Sequence, residues 1–266
     1  MDAAPPTRVT LLDGFRLDVH GVDQCSSRGG LPPGVQRLVA HLCLSGRASR
    51  TATAGRLWPD VSECHAHGSL RSALWRLHKA APGVIEVSGE VLRLSQDVRV
   101  DVRELSDWAQ RAIAPPADDA EIAVPAAALG GDLLPGWYDD WVLVERERLH
   151  QLRLHALEAT AAGLAVHGRH WEALQAAYAA VRAEPLRESA HRTIVRVHLA
   201  EGNLAEAARA YELFRTMVES ELGVLPTPQM TRLVQGIPPR RCSSALEAVS
   251  TVAVPRRSAM AAVRGP

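Results

Sequence analysis

Residues 49–94 combine two helical patterns with a β-hairpin pattern, and this order restricts the fold more than any other part of the sequence. Ser49 can cap a short helix that runs from Arg50 to about Trp58, because its hydroxyl can accept a hydrogen bond from a first-turn N–H. Pro59 would end that helix, and a loop follows. The next helical pattern and the hairpin then complete a three-part unit.

The second helical pattern runs from His65 to Ala81 and ends before Pro82-Gly83. Its apolar residues recur at spacings of three and four and therefore share one face. Beyond it, the β-prone segments 85–87 and 91–94 flank Ser88-Gly89-Glu90, where glycine permits a tight turn. This predicts a helix followed by a β-hairpin.

Upstream segments complete the unit. Residues 9–12 and 15–19 are β-prone and are separated by Asp13-Gly14, which predicts a hairpin. Residues 35–43 carry helical spacing that ends near Gly46. Strands, three helices and a hairpin are the order of a winged helix with an N-terminal sheet, so we expect residues 1–100 to form a winged-helix domain.

A helical pattern begins at Asp101 and is broken at Pro115-Pro116, around Gly130-Gly131 and at Pro135-Gly136. It resumes over residues 142–167. We expect a fold that is mainly α with a small β component, in which residues 101–237 form a second, helical domain.

The later part of this segment repeats itself. Gly168 and Gly202 are 34 positions apart, as are Ala173 and Ala207, and this period is typical of tetratricopeptide-like helical hairpins. Pro185 is expected to close the first hairpin, and Pro226 with Pro228 to bound the second. After these, residues 238–266 lack periodicity and are predicted to be disordered.

The formal net charge of zero divides unevenly. It is +3 over residues 1–100, −7 over residues 101–237 and +4 over residues 238–266. A basic front segment suits a polyanion, whereas an acidic middle suits a protein partner. The sequence shows neither a signal peptide nor an apolar run of membrane-spanning length, so we expect a cytoplasmic protein without membrane contact.

The helix predicted over residues 65–81 would present a polar and basic face opposite its apolar one. In a winged helix this third helix enters the major groove, where side chains meet base edges and flanking groups fix the phosphates. We therefore predict contacts with double-stranded DNA from Ser69, Arg71, Ser72, Trp75, Arg76 and Lys79.

Trp75 is unusual on a solvent-facing side, because an exposed indole leaves apolar area in water. It could lie against the sugar-phosphate backbone or against the hairpin, and the sequence favours neither. Within the hairpin, Arg93 is also predicted to contact DNA.

Several motifs resemble those of one family. Residues 36–42, 49–60 and 69–77 resemble the response-regulator-type winged helix of the Streptomyces antibiotic regulatory proteins. The second half resembles the bacterial transcriptional activation domain that accompanies it. Its motifs are Gly131-Asp132-Leu133-Leu134-Pro135-Gly136, Glu145-Arg146-Glu147-Arg148-Leu149, Pro185-Leu186-Arg187-Glu188 and Glu221-Leu222-Gly223-Val224.

This resemblance implies an activator that binds direct repeats upstream of a promoter and recruits RNA polymerase holoenzyme, commonly at a secondary-metabolite gene cluster. A second copy of the chain on the DNA is a further expected partner. The family's polymerase-contact loop would correspond here to Pro59, Asp60, Val61, Ser62, Glu63 and Cys64. Gly68 inside the reading helix and Thr53 at a position usually apolar depart from the family pattern.

Other chemistry has little support. Cys64-His65-Ala66-His67 is spaced too tightly for a local four-ligand zinc site, and no phosphate-binding glycine loop is present. Asp139, Asp140, Glu145 and Glu147 have no nucleophile or cofactor loop beside them. We expect no metal, no cofactor and no catalytic residue. The alternative to an activator is a helical-repeat adaptor whose winged helix does not bind DNA.

Overall fold

The computed structural model describes residues 7–19, 30–114 and 123–237. The described residues up to Val234 form one compact unit, and residues 235–237 belong to a second unit. The tail predicted to be disordered, 238–266, lies outside the described residues.

The N-terminal elements follow the predicted order, with two additional short strands. They are β1 (Arg8–Thr10), β2 (Arg16–Asp18), α1 (Pro33–Ser45), β3 (Arg47–Ser49), α2 (Arg50–Leu57), α3 (Glu63–Ala80), β4 (Ile85–Ser88), β5 (Val91–Leu94) and β6 (Arg99–Val100). The Ser49 side chain accepts a hydrogen bond from the N–H of Ala52 at 3.1 Å, as its capping position predicts.

Two small sheets flank the helices. One has the order β2-β1-β6, in which β1 is antiparallel to β2 and parallel to β6. The other has the order β3-β5-β4, so that β3 extends the β4–β5 hairpin. We call this hairpin, residues 85–94, the wing.

The predicted start of the third helix is wrong by two residues. The helix begins at Glu63 rather than at His65, so Glu63 and Cys64 lie in its first turn and not in the preceding loop. Gly68 does not interrupt the helix, which continues through it to Ala80. Thr53 is fully buried, and its hydroxyl donates to the carbonyl of Ser49 at 2.8 Å, which satisfies the polar group at this apolar position.

The second half is built from seven helices among the described residues. They are α4 (Asp101–Ile113), α5 (Ala126–Leu129), α6 (Asp140–Val166), α7 (His170–Ala183), α8 (Glu188–Glu201), α9 (Leu204–Leu222) and α10 (Pro228–Val234). The molecule is thus mainly α-helical with a small β component, a winged helix followed by a tetratricopeptide-like helical domain.

The 34-residue repeat corresponds to two helical hairpins, α6–α7 and α8–α9. Gly168 and Gly202 precede equivalent helices with φ angles of 73° and 83°, and this left-handed backbone explains the recurrent glycine. Ala173 and Ala207 are both fully buried. Pro185 follows α7 and so closes the first hairpin, as predicted, and Pro226 follows α9 at the end of the second.

The two halves share one hydrophobic core, which includes Val9, Leu11, Leu38, Leu105 and Leu149. The predicted boundary between two domains near residue 100 therefore stays a prediction. In the structure, residues on both sides of it pack together.

The N-terminal hairpin is attached to the helical half at Asp101. The buried carboxylate of Asp101 accepts hydrogen bonds from the backbone N–H groups of Leu11, Leu12 and Val102 at 2.7–3.0 Å. These bonds fix the start of α4 against the segment that connects β1 to β2.

The segment Gly131–Leu134 forms a second attachment. The N–H of Leu134 donates to the carbonyl of Leu11 at 2.9 Å, and the N–H of Asp13 donates to the carbonyl of Asp132 at 3.0 Å. The N–H of Gly131 donates to the carboxylate of Asp13 at 3.1 Å, and a Cβ at Gly131 would lie 1.7 Å from an oxygen of that carboxylate. This close approach explains the glycine.

Two arginines of α6 hold this segment from the other side. The guanidinium of Arg146 donates to the carbonyls of Leu133, Leu134 and Trp137 at 2.7–3.0 Å. The buried guanidinium of Arg153 donates to the carbonyls of Gly130 and Gly131 at 2.7 and 2.8 Å. Two of the motifs noticed in the sequence therefore meet in space.

Candidate nucleic-acid interface

Helix α3 is held by an apolar face that packs against α1 and α2. Ala66, Leu70, Ala73 and Leu77 are buried, as their three- and four-residue spacing predicts. This packing fixes which side of α3 is turned outward.

The residues predicted to read DNA lie on that outward side, which we call the α3 ridge. Arg71, Ser72, Arg76 and Lys79 are exposed, Ser69 is half-buried, and Trp75 is 61% exposed. None of these side chains is packed in the interior or covered by the helical domain within the described residues. The ridge therefore presents three cations and an indole to solvent.

The cations of the ridge differ in their pairing from several arginines of the helical domain. Among the described residues, the ion pairs that involve residues of the winged helix do not include Arg71, Arg76 or Lys79. By contrast, six arginines of the helical domain are ion-paired: Arg148, Arg169, Arg187, Arg192, Arg209 and Arg215. Positive charge on the ridge is thus available to an external anion.

Trp75 lines a groove between α3 and the wing. The Nζ of Lys79 lies 4.8 Å from the centre of the indole ring, a cation–π contact. The groove has a volume of about 320 Å³, and we call it the α3–wing groove. Its lining residues are Arg50, Arg71, Leu74, Trp75, Leu77, His78, Ala81, Gly83, Ile85 and Val87. Trp75 therefore faces the wing across an open groove and still keeps most of its surface in solvent.

Arg93 has a carboxylate partner. Its guanidinium contacts Glu86 on the neighbouring strand at 2.6 Å, and the Arg93 side chain remains 52% exposed. The predicted DNA contact of Arg93 would have to compete with this ion pair.

Arg50 was missed by the sequence reasoning. It is half-buried at the first position of α2, and its backbone N–H donates to the carbonyl of Glu90 in the wing turn at 2.8 Å. The capping serine marked the helix start, but the contact between α2 and the wing depends on strand β3, which is too short to leave a sequence pattern.

The segment predicted to contact polymerase is split between a loop and a helix. Pro59, Asp60, Val61 and Ser62 lie between α2 and α3, whereas Glu63 and Cys64 start α3, and all six are exposed. The Oγ of Ser62 lies 2.7 Å from Nδ1 of His65, which orders the junction. No group of His, Cys, Asp and Glu among the described residues could hold a metal ion.

A larger cleft of about 720 Å³ lies between the winged helix and the start of α6. Its lining includes the carboxylates of Asp60, Asp139, Asp140 and Glu145. The guanidinium of Arg37 is paired with Asp139 across it. The cleft is therefore part of the boundary between the two halves and is rich in acidic groups.

His41 borders this cleft and is buried. Its imidazole packs edge-on against Trp141 with ring centres 5.5 Å apart. Burial, with a smaller contribution from the nearby Arg56, lowers the pKa of His41 from 6.5 to about 4. The imidazole is therefore neutral in the folded protein at neutral pH.

Acid should destabilise the protein through His41. Below pH 6.5 the unfolded chain binds a proton at this position that the folded chain does not, so the free energy of unfolding falls as the pH drops from 6.5 to about 4. The loss should reach at most about 3 kcal/mol. Urea unfolding across this window should show a shallower pH dependence for His41→Leu than for the wild type. Equal slopes would contradict the assignment; burial also lowers the pKa of His191, so some slope should remain in the variant.

The fold and the exposed α3 ridge define a class of winged-helix proteins that carry a helical-repeat domain. One solved structure with this fold is that of EmbR from Mycobacterium tuberculosis in complex with a low affinity phosphopeptide. The match has a TM-score of 0.62 at 19% identity and covers 87% of this chain and 65% of that chain.

Sequence comparison gives the family. The model of the bacterial transcriptional activator domain matches residues 100–237, which is more than half of the chain. The chain therefore belongs to the bacterial transcriptional activator domain family, and it is a regulator of the Streptomyces antibiotic regulatory protein type.

Two relatives are named regulatory protein AfsR. The one from Streptomyces coelicolor is 32% identical over 218 residues, which are 77% of this chain and 22% of the relative. The one from Streptomyces griseus is 29% identical over 208 residues, which are 72% of this chain and 21% of the relative. The chain thus spans about a fifth of the length of these relatives. No helix in the described parts of the chain is long and apolar enough to cross a membrane.

Proposed function

We propose that this chain is a sequence-specific DNA-binding transcription activator, without enzymatic activity, that inserts α3 into the major groove. The observation that carries the proposal is the α3 ridge. Its exposed cations have no carboxylate partner among the described residues, and its helix is fixed by a buried apolar face. Arg71 and Arg76 can each donate two hydrogen bonds to guanine, while Lys79 and the serines suit phosphates.

The proposal includes protein partners. The exposed segment from Pro59 to Cys64 lies beside the reading helix and would contact RNA polymerase holoenzyme at the promoter. The net charge of −7 over residues 101–237 suits a protein surface rather than DNA, and a second copy of the chain is the proposed neighbour on direct repeats. Resemblance to the Streptomyces regulators supports a secondary-metabolite gene cluster as the target.

Removal of the ridge cations should weaken DNA binding strongly. Genome-wide mapping with the purified chain would first supply the operator. In a gel-shift assay on that operator, the variant Arg71→Ala/Arg76→Ala/Lys79→Ala should then bind about a hundredfold more weakly, because each lost contact costs about 1 kcal/mol or more. The exposed position of all three residues predicts an unchanged circular dichroism spectrum.

A matched control removes the same charge elsewhere. Arg169→Ala/Arg209→Ala/Arg215→Ala changes three arginines of the helical domain whose side chains are 41%, 57% and 40% exposed, and it should leave DNA affinity nearly unchanged. Equal DNA retention by the ridge variant and the control would favour the adaptor, in which the winged helix does not bind DNA. A reporter driven by the mapped promoter would separate an activator from a repressor, which would use the same contacts.

A further inference from the structure

We infer that the cleft of about 720 Å³ between the winged helix and the start of α6 binds a small zwitterion of the amino-acid class. We call it the domain cleft. The ammonium group of the ligand lies against Asp60 and Asp140, and its carboxylate lies against Arg56 and Trp141. This inference goes beyond the proposed function and does not depend on DNA binding.

The size and the walls of the domain cleft suit a small ligand. Its volume lies within the range of about 300 to 1,000 Å³ that is usual for small-molecule sites. One wall comes from α1, α2 and the loop after α2, and the other comes from the start of α6 and the residues before it. Because these elements belong to one compact unit, both walls are in place before a ligand binds.

Aromatic and aliphatic side chains give the domain cleft an apolar surface. Trp58, Tyr138 and Trp141 line it, and Tyr138 is 80% exposed. Val61 and Val144 also line it and are 46% and 68% exposed. Aromatic walls that carry a few polar groups are the usual composition of a ligand site. The apolar body of a ligand would remove this surface from water.

Two carboxylates of the domain cleft are available to a cation. Of the four acidic residues in its lining, Asp139 and Glu145 already have arginine partners. The other two, Asp60 and Asp140, are exposed and belong to no ion pair among the described residues. An ammonium group can form charge-assisted hydrogen bonds with these carboxylates, and the neighbouring aromatic rings also attract it.

The same cleft contains hydrogen-bond donors that lack an acceptor. The Nε of Arg37 and the Nε1 of Trp141 are buried and have no partner within the part of the chain that the structure describes. Because nearly all buried polar groups in folded proteins are hydrogen-bonded, these donors indicate an acceptor from outside the chain. Arg56 is exposed in the same lining, and its guanidinium supplies a positive charge for a carboxylate.

The donors and the acceptors together decide the class of ligand. A simple anion would be repelled by the carboxylates of Asp60 and Asp140. A simple cation would leave the two buried donors without an acceptor, which costs free energy. A zwitterion satisfies both sets of groups at once. The lining of the cleft therefore favours a molecule that carries an ammonium group, a carboxylate and an apolar body.

Three probes that differ only in their charged groups test the class of ligand. Phenylalanine carries both groups, 2-phenylethylamine lacks the carboxylate, and 3-phenylpropionate lacks the ammonium group. Saturation-transfer NMR with the full chain of 266 residues should show binding of phenylalanine. The other two probes should bind roughly tenfold more weakly or less, because each loses the charge-assisted hydrogen bonds of one end.

Variants of the lining separate the two ends of the ligand. Asp60→Asn/Asp140→Asn should weaken phenylalanine binding roughly tenfold without weakening the binding of 3-phenylpropionate. Arg56→Gln should weaken phenylalanine binding without weakening that of 2-phenylethylamine. All of these side chains are exposed, so the circular dichroism spectrum should not change.

Matched controls change the same residue types outside the cleft. Asp97→Asn/Asp107→Asn replaces two exposed carboxylates, and Arg196→Gln replaces an exposed arginine on α8. None of these residues lines the domain cleft. Both controls should bind phenylalanine with the affinity of the wild type.

Three results would overturn the inference. One is the absence of saturation transfer to phenylalanine. The second is equal affinity for all three probes, which would mean that the phenyl ring alone adsorbs to the protein. The third is equal affinity of phenylalanine for the cleft variants and their controls. DNA affinity in the gel-shift assay is a separate measurement, so each of these results would leave the proposed function intact.

Discussion

Replacing Asp101 by alanine is expected to lower the free energy of unfolding by about 3 to 5 kcal/mol. The carboxylate is buried and accepts hydrogen bonds from the N–H groups of Leu11, Leu12 and Val102. Alanine would leave these buried donors without partners, and each such donor costs about 1 to 3 kcal/mol. Urea unfolding followed by circular dichroism would measure the change.

Two further variants make this prediction specific. Asp101→Asn keeps one side-chain oxygen as an acceptor and should lose about half as much stability. Asp107→Ala removes an exposed carboxylate from the same helix and should change the free energy of unfolding by no more than about 0.5 kcal/mol. If Asp101→Ala and Asp107→Ala lowered the free energy of unfolding by similar amounts, the hydrogen bonds of Asp101 would not contribute to stability as predicted.

Replacing Arg153 by methionine should destabilise the protein by a similar amount, about 3 to 5 kcal/mol. The guanidinium is 6% exposed and donates to the carbonyls of Gly130 and Gly131, and hydrogen bonds to a charged group contribute about 1.5 to 3 kcal/mol each. Burial lowers the pKa of the guanidinium, which reflects the cost of keeping the charge there. Methionine retains the apolar stem but none of the donors.

The same helix supplies the control for Arg153. Arg148 is exposed and is ion-paired with Glu145 one turn away, so Arg148→Met should cost at most about 0.5 kcal/mol. Differential scanning calorimetry of both variants would compare them directly. An unfolding temperature of Arg153→Met close to that of Arg148→Met would contradict the structural role of the buried guanidinium.

The spacing of apolar residues predicted those helices that bury a single face. Helices α1 and α3 bury their regularly spaced apolar residues, and their bounds agree with the sequence to within about two positions. Strands β3 and β6 were missed because segments of three and two residues are too short to show alternation. Tertiary pairing, rather than local preference, makes these residues extended.

The outward face of α3 could be predicted because the spacing of the apolar residues defines the buried face, and the remaining residues must lie on the other side. The α3–wing groove could not, because it depends on Arg50 and the wing, which approach α3 only in three dimensions. Asp101 and Arg153 were missed for a related reason. A charged residue in a sequence is assumed to be solvated, and its burial depends on backbone groups supplied by distant segments.

The attachments at Asp101 and at Gly131–Leu134 bear on promoter architecture. They join the N-terminal hairpin of the winged helix to the helical half, so the helical domain cannot swing on a tether while the winged helix stays on DNA. For a protein that binds through α3, the face of the duplex that is bound would dictate where every partner surface points. Inserting about five base pairs, half a helical turn, between operator and promoter would therefore aim those surfaces away from polymerase.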